Sequence, residues 1–149
     1  MTNDALGIAG TGLTLHRQWL DAVADNLAKL PTVTSPDAAA GRARYVLATE
    51  GGEKNPGAYV AGAAWGSAEG RLTYEPDHPL ADEDGYVRYP DIDMSEQMGS
   101  LILAQRGYQA NAAVIDRAKT AYAAALQVGK CSACASPPAR PRPAPGSGP

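Results

Sequence analysis

The stretch LGIAGTGLTLHRQWLDAVADNLAKL, residues 6–30, decides the fold of this 149-residue chain. Its apolar positions recur at alternating spacings of three and four residues, and His16 is the single interruption. A helix with this pattern buries one narrow stripe against another helix. The sequence therefore predicts an N-terminal assembly helix, residues 1–30, that requires a helical partner. The heptad positions are Leu6, Ala9, Leu13, His16, Leu20, Val23, Leu27 and Leu30.

The C-terminal part of the chain supplies that partner. An apolar residue returns at every seventh position from Leu101 to Tyr122. Asp93 and Glu96 have the spacing of a capping box at a helix start, and Gly129 is a natural stop at a helix end. We predict a C-terminal assembly helix over residues 94–130. The predicted assembly interface consists of Leu6, Leu13, Leu20, Val23, Leu27, Met98, Leu101, Tyr108, Ile115 and Tyr122.

The segment between the helices, residues 31–93, is predicted to be a connector followed by a small β-rich domain. Gly and Pro interrupt it often, as is typical of turns between short strands. Asp84-Gly85 predicts a type I′ turn, which needs positive φ at both central residues. The predicted strands are 44–49, 58–65, 71–75 and 86–89. The fold class is therefore α+β, with two long terminal helices packed as an antiparallel coiled-coil-like pair and the β-rich segment inserted between them.

The last part of the chain, residues 131–149, is rich in Pro, Gly and Ser, and we predict a disordered tail. It opens with Cys131 and Cys134 in C-x-x-C spacing. A redox role would need a βα context, and a zinc site would need four ligands. The two histidines, His16 and His78, lie far away in sequence. An incidental pair is the favoured interpretation, with a disulfide inside the tail or a shared intermolecular metal left open.

The bulk composition excludes several classes of function. The net charge is −3 and the pI is about 5.3, so there is no basic footprint for nucleic acid. No run approaches the roughly 20 apolar residues that a membrane-spanning helix needs. Residues 1–4 (MTND) lack the positive region of a cleaved signal peptide. We therefore expect a cytoplasmic protein, or one exported by an apparatus that reads an uncleaved N-terminus.

Candidate chemistry in the middle of the chain is weak. The acidic run Asp82-Glu83-Asp84 offers oxygen ligands without EF-hand spacing, and His78 has no evident nucleophile beside it. The sequence contains neither a P-loop nor a dinucleotide-binding fingerprint. We predict no catalytic residue, no metal and no cofactor. Ala dominates the apolar residues and Phe is absent, so the core should be thin and the helices ordered mainly by neighbours in an assembly.

The termini resemble one known family, the axial proteins of the bacterial flagellar rod and hook. Residues 8–13 (IAGTGL), then Arg17 and residues 26–28 (NLA), are similar to the family's I-A-x-S-G-L, Arg and N-I-A-N. Residues 96–111 are similar to its E-M-x-x-x-I-x-A-x-R-A-Y-E-A-N. Residues 74–87 resemble the Y-x-P-x-H-P…A-D-x-x-G-Y-V stretch of proximal rod proteins. The motif residues are Gly12, Leu13, Arg17, Asn26, Arg106, Tyr108 and Asn111.

This resemblance implies a non-enzymatic structural subunit of the flagellar basal-body rod, located in the cell envelope. It implies export by the flagellar type III apparatus without a cleaved signal peptide, helical assembly with itself and other rod proteins, and torque transmission in motility. No nucleic acid partner and no membrane insertion are implied. Lys29 departs from the final Asn of the family's N-I-A-N, and the tail has no counterpart. The alternatives are another rod or hook subunit, and a cytoplasmic coiled-coil adaptor carrying a β module.

Overall fold

Two long helices and two short antiparallel sheets make up the part of the chain that the computed structural model describes, residues 2–131, with side chains described for residues 5–129. This architecture confirms the predicted α+β class with two terminal helices and a β-rich segment between them, whereas the coiled-coil-like packing of the helices stays a prediction. The predicted tail, residues 131–149, lies outside the described residues apart from the backbone of Cys131. The elements in chain order are α1 (Thr2–Lys29), β1 (Arg44–Glu50), β2 (Ala58–Trp65), β3 (Arg71–Tyr74), β4 (Tyr86–Tyr89) and α2 (Met94–Cys131).

The helices α1 and α2 pack against each other in antiparallel orientation. Near one end, the Asn26 amide nitrogen donates a hydrogen bond to Oε1 of Gln97 at 3.0 Å. Farther along, Gly12 is so close to Asn111 that a β-carbon added to the glycine would lie 2.8 Å from the Asn111 amide nitrogen. The facing residue numbers rise on one helix as they fall on the other. This contact joins the two ends of the chain.

A hairpin made of β1 and β2 packs on a second side of α1. The strands pair antiparallel from Arg44↔Trp65 to Glu50↔Ala58, and the register shifts between Leu47 and Ala48. The Thr11 hydroxyl of α1 accepts a hydrogen bond from the Ala58 backbone N–H at 3.2 Å. Helix α1 therefore lies between α2 and this hairpin.

The second sheet, β3 with β4, is anchored to the connector that follows α1. Thr34 forms an isolated bridge with Arg88, through two backbone hydrogen bonds of 2.9 Å. Between the strands, Gly85 has φ +80°, whereas no non-glycine residue in the described range has positive φ. The predicted type I′ turn at Asp84-Gly85 is therefore wrong. The strands are instead joined by residues 75–85, in which the Asp82 carboxylate accepts backbone N–H groups of Asp84 and Tyr86 at 3.1 and 2.7 Å.

The start of α2 agrees with the sequence prediction, and its end does not. The Asp93 carboxylate accepts a hydrogen bond from the Ser95 N–H at 2.7 Å, as an N-cap does. At the other end the helix passes through Gly129 to Cys131, so Gly129 is not its stop. Most of the buried apolar side chains are small; they are Ala9, Ala22, Val23, Ala40, Ala43, Val87, Ile92 and Ala104.

Candidate assembly surface

The predicted interface residues of α1 are all buried or half-buried within the subunit. Val23 is buried, while Leu6, Leu13, Leu20 and Leu27 are half-buried. A half-buried leucine touches its own fold and also leaves apolar surface for a neighbour. Whether these four residues contact another subunit stays a prediction.

The predicted residues of α2 divide into two groups by exposure. Leu101 and Ile115 are half-buried, whereas Met98, Tyr108 and Tyr122 are exposed. As interface positions, the sequence pattern missed the buried Gln97 and Ala104 and the half-buried Asn111, which contacts Gly12. Together with the half-buried Ala118, these positions recur at seven residues. Their signal was the spacing alone, because polar and small side chains do not stand out in a search for apolar residues.

The side chain of Asn26, on α1, forms hydrogen bonds with both β1 and α2. Its side chain is fully buried, and its amide nitrogen donates both to the Arg44 carbonyl at 2.9 Å and to Oε1 of Gln97. Its amide oxygen accepts the Arg44 backbone N–H at 2.7 Å. The amide thus pairs with both backbone groups of Arg44 as a neighbouring strand would, and it satisfies polar groups that are costly to bury unpaired. The motif residue Asn26 therefore has a structural role at this junction.

A second contact joins α1 to the loop end of the β1–β2 hairpin. Gly57 has φ +148°, and a β-carbon there would overlap the Thr11 side chain. Only a glycine lets the backbone approach the helix this closely. Thr11 and Asn26 are fifteen residues apart on α1, about 22 Å along the axis. The hairpin is therefore held to α1 at both of its ends.

Charged groups surround the junction at the base of the hairpin. Arg44 forms an ion pair with Asp25, with 2.8 Å between the guanidinium nitrogen and the carboxylate oxygen. Burial, with smaller contributions from the negative charges of Glu96 and Asp91, raises the pKa of Tyr45. Lys29 donates to the Arg42 carbonyl at 3.2 Å, and its ammonium lies 5.7 Å from the centre of the Trp65 ring. A lysine at this position thus makes contacts with the connector and β2.

The remaining motif residues fall into two settings. Gly12 is buried against Asn111, so the fold brings together an N-terminal and a C-terminal motif residue. The side chains of Arg17 and Arg106 are exposed, as is that of Tyr108. Exposed motif residues on the helix pair are available for contacts outside the chain.

The outer side of α2 carries more apolar surface than a solitary helix pair would be expected to leave in water. Ile102, Leu103 and Val114 are 50%, 59% and 45% exposed, in addition to the three exposed interface residues. Exposed apolar surface of this kind is a candidate site of protein contact. Neither helix in the described range is long and apolar enough to cross a membrane. Among the described residues, no three His, Cys, Asp or Glu side chains converge as a metal site requires.

Comparison with known proteins agrees with this arrangement. The family profile described as "Flagellar basal body rod FlgEFG protein C-terminal" matches residues 83–128. The flagellar basal-body rod protein FlgC of Yersinia enterocolitica is 37% identical over 126 residues, covering 83% of this chain and 94% of the relative. FlgC of Salmonella typhimurium is 36% identical over the same length, with the same coverage. The chain belongs to the FlgC family of flagellar basal-body rod proteins.

The matches to FlgC proteins cover most of the chain. FlgC of Borreliella burgdorferi is 30% identical over 144 residues, covering 83% of this chain and 95% of the relative. The protein is a structural subunit of the basal-body rod, and its place is the flagellar basal body. Its relatives are named as flagellar basal-body rod proteins.

Proposed function

We propose that this rod subunit assembles helically through the outer surfaces of α1 and α2. Within the subunit, α1 and α2 pack against each other in a coiled-coil-like manner. The observation that carries the proposal is the row of exposed apolar side chains on α2, which includes Ile102, Leu103 and Tyr108. Burying each such side chain against a neighbour contributes about 1.5–3 kcal/mol. Many identical contacts of this size add up to a stiff tube.

Torque transmission follows from how the parts of one subunit are joined. A load applied to the β-rich segment reaches the helices through Asn26 and Thr11, which tie the hairpin at both ends. Because both ties involve short side chains, the hairpin cannot swing far before the helices turn with it. The subunit thus passes rotation to its neighbours without a catalytic group, and the proposal includes no enzymatic role and no cofactor.

The partners in this proposal are other copies of the chain and other rod proteins. The route to the rod is export by the flagellar type III apparatus, which reads an N-terminus that is not cleaved. The proposal includes no nucleic acid partner, in keeping with the net charge of −3. The position within the rod is the proximal segment.

The test is recovery of the protein in purified hook–basal bodies from its source cell. A tagged wild-type chain should be found in the rod fraction, and deletion should abolish external filaments. Leu103→Glu, which places a charge on the exposed side of α2, should prevent incorporation while the helix content of the purified protein stays unchanged. Leu47→Glu is the matched control, because Leu47 is similarly exposed on β1.

Two results would contradict the proposal. Recovery of the wild-type chain solely in the cytosol, with filaments intact in the deletion strain, would favour the adaptor alternative. Normal incorporation of Leu103→Glu alongside Leu47→Glu would show that the outer side of α2 is not the assembly surface.

A further inference from the structure

One edge of β3 is left uncovered by the rest of the described chain. Strand β4 lies along its other edge, and β4 is in turn joined to the connector through both backbone groups of Arg88, which bond to Thr34 at 2.9 Å. Within residues 5–129, no further hydrogen bond reaches the backbone of Leu72 or Tyr74. The bare edge of a strand presents N–H and C=O groups that can pair with another strand.

The hydrogen bonds of β4 show which backbone groups of β3 lie at the free edge. Arg88 directs its N–H and its carbonyl at the connector, away from β3. Tyr86 does the same toward Asp82, donating its N–H to the carboxylate at 2.7 Å and accepting the Asp82 N–H at 3.0 Å. In an antiparallel ladder, two directly opposite residues either bond to each other or both face outward. Leu72 and Tyr74, which lie opposite these two residues, therefore direct their N–H and carbonyl groups at the free edge.

One face of β3 is apolar and open to water. Leu72 and Tyr74, whose side chains share this face, are 55% and 62% exposed. Tyr74 contacts the ring of Tyr86 on β4 edge to face, with 5.4 Å between the ring centres. A second strand at the free edge would add apolar neighbours to this face and remove part of it from water.

Two opposite charges flank the strand at equal spacing from Thr73. Arg71 precedes Thr73 by two residues, and Glu75 follows it by two. Tyr89 holds both on the other face of the sheet, because its ring centre is 5.8 Å from the Arg71 guanidinium and its hydroxyl donates to the Glu75 carboxylate at 3.0 Å. Charged residues at a strand edge usually oppose pairing between identical copies. Here the two charges have opposite sign and symmetric positions, so antiparallel self-pairing joins unlike charges.

We propose that two copies of this chain pair antiparallel along β3, with a two-fold axis at Thr73, to form one sheet of four strands. Leu72 of each copy is then opposite Tyr74 of the other, and the two exchange hydrogen bonds through the backbone groups that face the free edge. Arg71 is opposite Glu75, and the two Thr73 side chains meet at the axis. Opposite charges, an aliphatic side chain beside an aromatic one, and paired threonines are all favourable cross-strand neighbours.

Other registers of the same pairing are poorer. A shift by one residue would place the outward-facing backbone groups opposite groups that already bond to β4. A shift by two residues in one direction brings Pro76, which has no N–H, opposite Leu72. In the other direction it brings Glu69 opposite Glu75 and joins like charges. The register centred on Thr73 is therefore the one in which both the backbone and the charges of two identical strands match.

A contact with a two-fold axis is closed. It uses the free edge of both copies and stops at two, whereas a helical array repeats one rotation and translation and has no such axis between neighbours. The β3 pair is therefore a state of the chain outside the rod, and the inference goes beyond the proposed rod function.

The register is tested by disulfide formation in full-length chains whose Cys131 and Cys134 are replaced by Ser. Thr73→Cys puts the two thiols at the axis, in an opposite pair without mutual hydrogen bonds, where Cα atoms lie about 4.5 Å apart and a disulfide can close. Leu72→Cys is the matched control, because its side chain is more exposed but the two copies of residue 72 are diagonal neighbours about 7–8 Å apart. We expect mild oxidation to give about tenfold more dimer from Thr73→Cys.

A proline at the free edge tests the backbone contact. Because the Leu72 N–H is not used in the ladder with β4, Leu72→Pro removes a hydrogen bond of the pair and leaves the ladder of the subunit in place. Added to Thr73→Cys, it should lower the dimer yield several-fold, while the circular dichroism of the subunit stays unchanged.

An exchange of charge tests the pairing of Arg71 with Glu75. Arg71→Glu and Glu75→Arg are each added to Thr73→Cys, and one of the two chains carries a tag that changes its size. Either variant alone joins like charges, whereas a mixture restores the opposite-charge pairs. The mixed disulfide should exceed both homodimers by about tenfold, and added salt should reduce this preference.

Any of three results would overturn the pairing. They are equal dimer yields from Thr73→Cys and Leu72→Cys, a yield unaffected by Leu72→Pro, and a mixed disulfide no more abundant than random pairing gives. The rod test is separate. If the chain is recovered in hook–basal bodies but Thr73→Cys gives no excess dimer, the pairing is wrong and the rod function stands. If the excess dimer forms but the chain is absent from hook–basal bodies, the rod function fails and the pairing stands.

Discussion

The imidazole ring of His16 lies directly against the backbone of Gly107, where the two long helices cross. A β-carbon built on Gly107 would overlap the ring, and the Nδ1 atom of His16 lies 2.7 Å from the Gly12 carbonyl of its own helix. The single polar residue in the N-terminal heptad thus faces a residue with no side chain. Glycine on α2 creates the room that histidine on α1 occupies.

Replacement of Gly107 by Ala should destabilise the protein, although Ala is the better helix former. The added methyl group meets the His16 ring, and overpacking of this kind costs about 1–3 kcal/mol, more than the gain of up to about 1 kcal/mol in helix propensity. Urea unfolding followed by circular dichroism measures the change in the free energy of unfolding. We expect a net loss of about 1 kcal/mol.

The matched control is Gly99→Ala on the same helix. No heavy atom lies within 4 Å of a β-carbon built on Gly99, so this change should stabilise the protein by up to about 1 kcal/mol. Adding His16→Ala to Gly107→Ala should restore stability, since the pair is in contact and its effects should not add. Equal stabilisation by Gly107→Ala and Gly99→Ala would refute the close contact.

Loss of the Asn26 amide should have the larger effect on stability. In Asn26→Ala the backbone N–H and carbonyl of Arg44 and the amide oxygen of Gln97 lose their partner at once. Unpaired buried polar groups cost about 1–3 kcal/mol each, so a loss of about 3 kcal/mol in the free energy of unfolding is expected. Asn55→Ala, at an exposed loop residue, is the control and should change it by less than about 0.5 kcal/mol.

The sequence predicted most elements because their signals are local. The strands begin and end within one residue of the predicted limits. Glycine and proline residues lie in the loops that flank the strands, such as residues 51–57, and mark where each strand stops. The first helix ends at Lys29, before Pro31, as the restriction on residues preceding proline requires. These features depend on backbone preferences that each residue carries with it.

The junction could not be predicted in the same way because its contacts join distant parts of the chain. Asn26 and Gln97 are 71 residues apart, and nothing in the local pattern marks a buried glutamine as the partner of a buried asparagine. The turn at Asp84-Gly85 failed for a different reason, which is local. Asp82 binds the N–H groups of Asp84 and Tyr86, and this alternative outcompetes the two-residue turn.

The loop between β3 and β4 should depend on the carboxylate of Asp82. In Asp82→Ala two backbone N–H groups lose their acceptor, and we expect the free energy of unfolding to fall by about 1 kcal/mol because the site is exposed to water. Asp77→Ala, at another exposed acidic residue of the loop, should have little effect. If both variants unfold at the same urea concentration as the wild type, the carboxylate does not organise this loop.

Stability at alkaline pH should depend on Tyr89. Its phenol donates to the Glu75 carboxylate at 3.0 Å, and this hydrogen bond, with burial and the charge of Glu75, raises the pKa of Tyr89 above 10 against the opposing charge of Arg71. A raised pKa means that the folded protein favours the neutral phenol. The stabilisation is complete below the unfolded pKa of about 10 and is lost as the pH rises through the folded pKa.

Tyr89→Phe should therefore remove part of the fall in the free energy of unfolding as the pH rises above about 10, measured by urea unfolding at each pH. Glu75→Gln is the sharper comparison, because it keeps the phenol but removes the charged acceptor. In that variant tyrosinate absorbance should begin at lower pH than in the wild type. A tyrosinate titration unchanged by Glu75→Gln, with the same alkaline slope in Tyr89→Phe, would show that the hydrogen bond does not set the pKa of Tyr89.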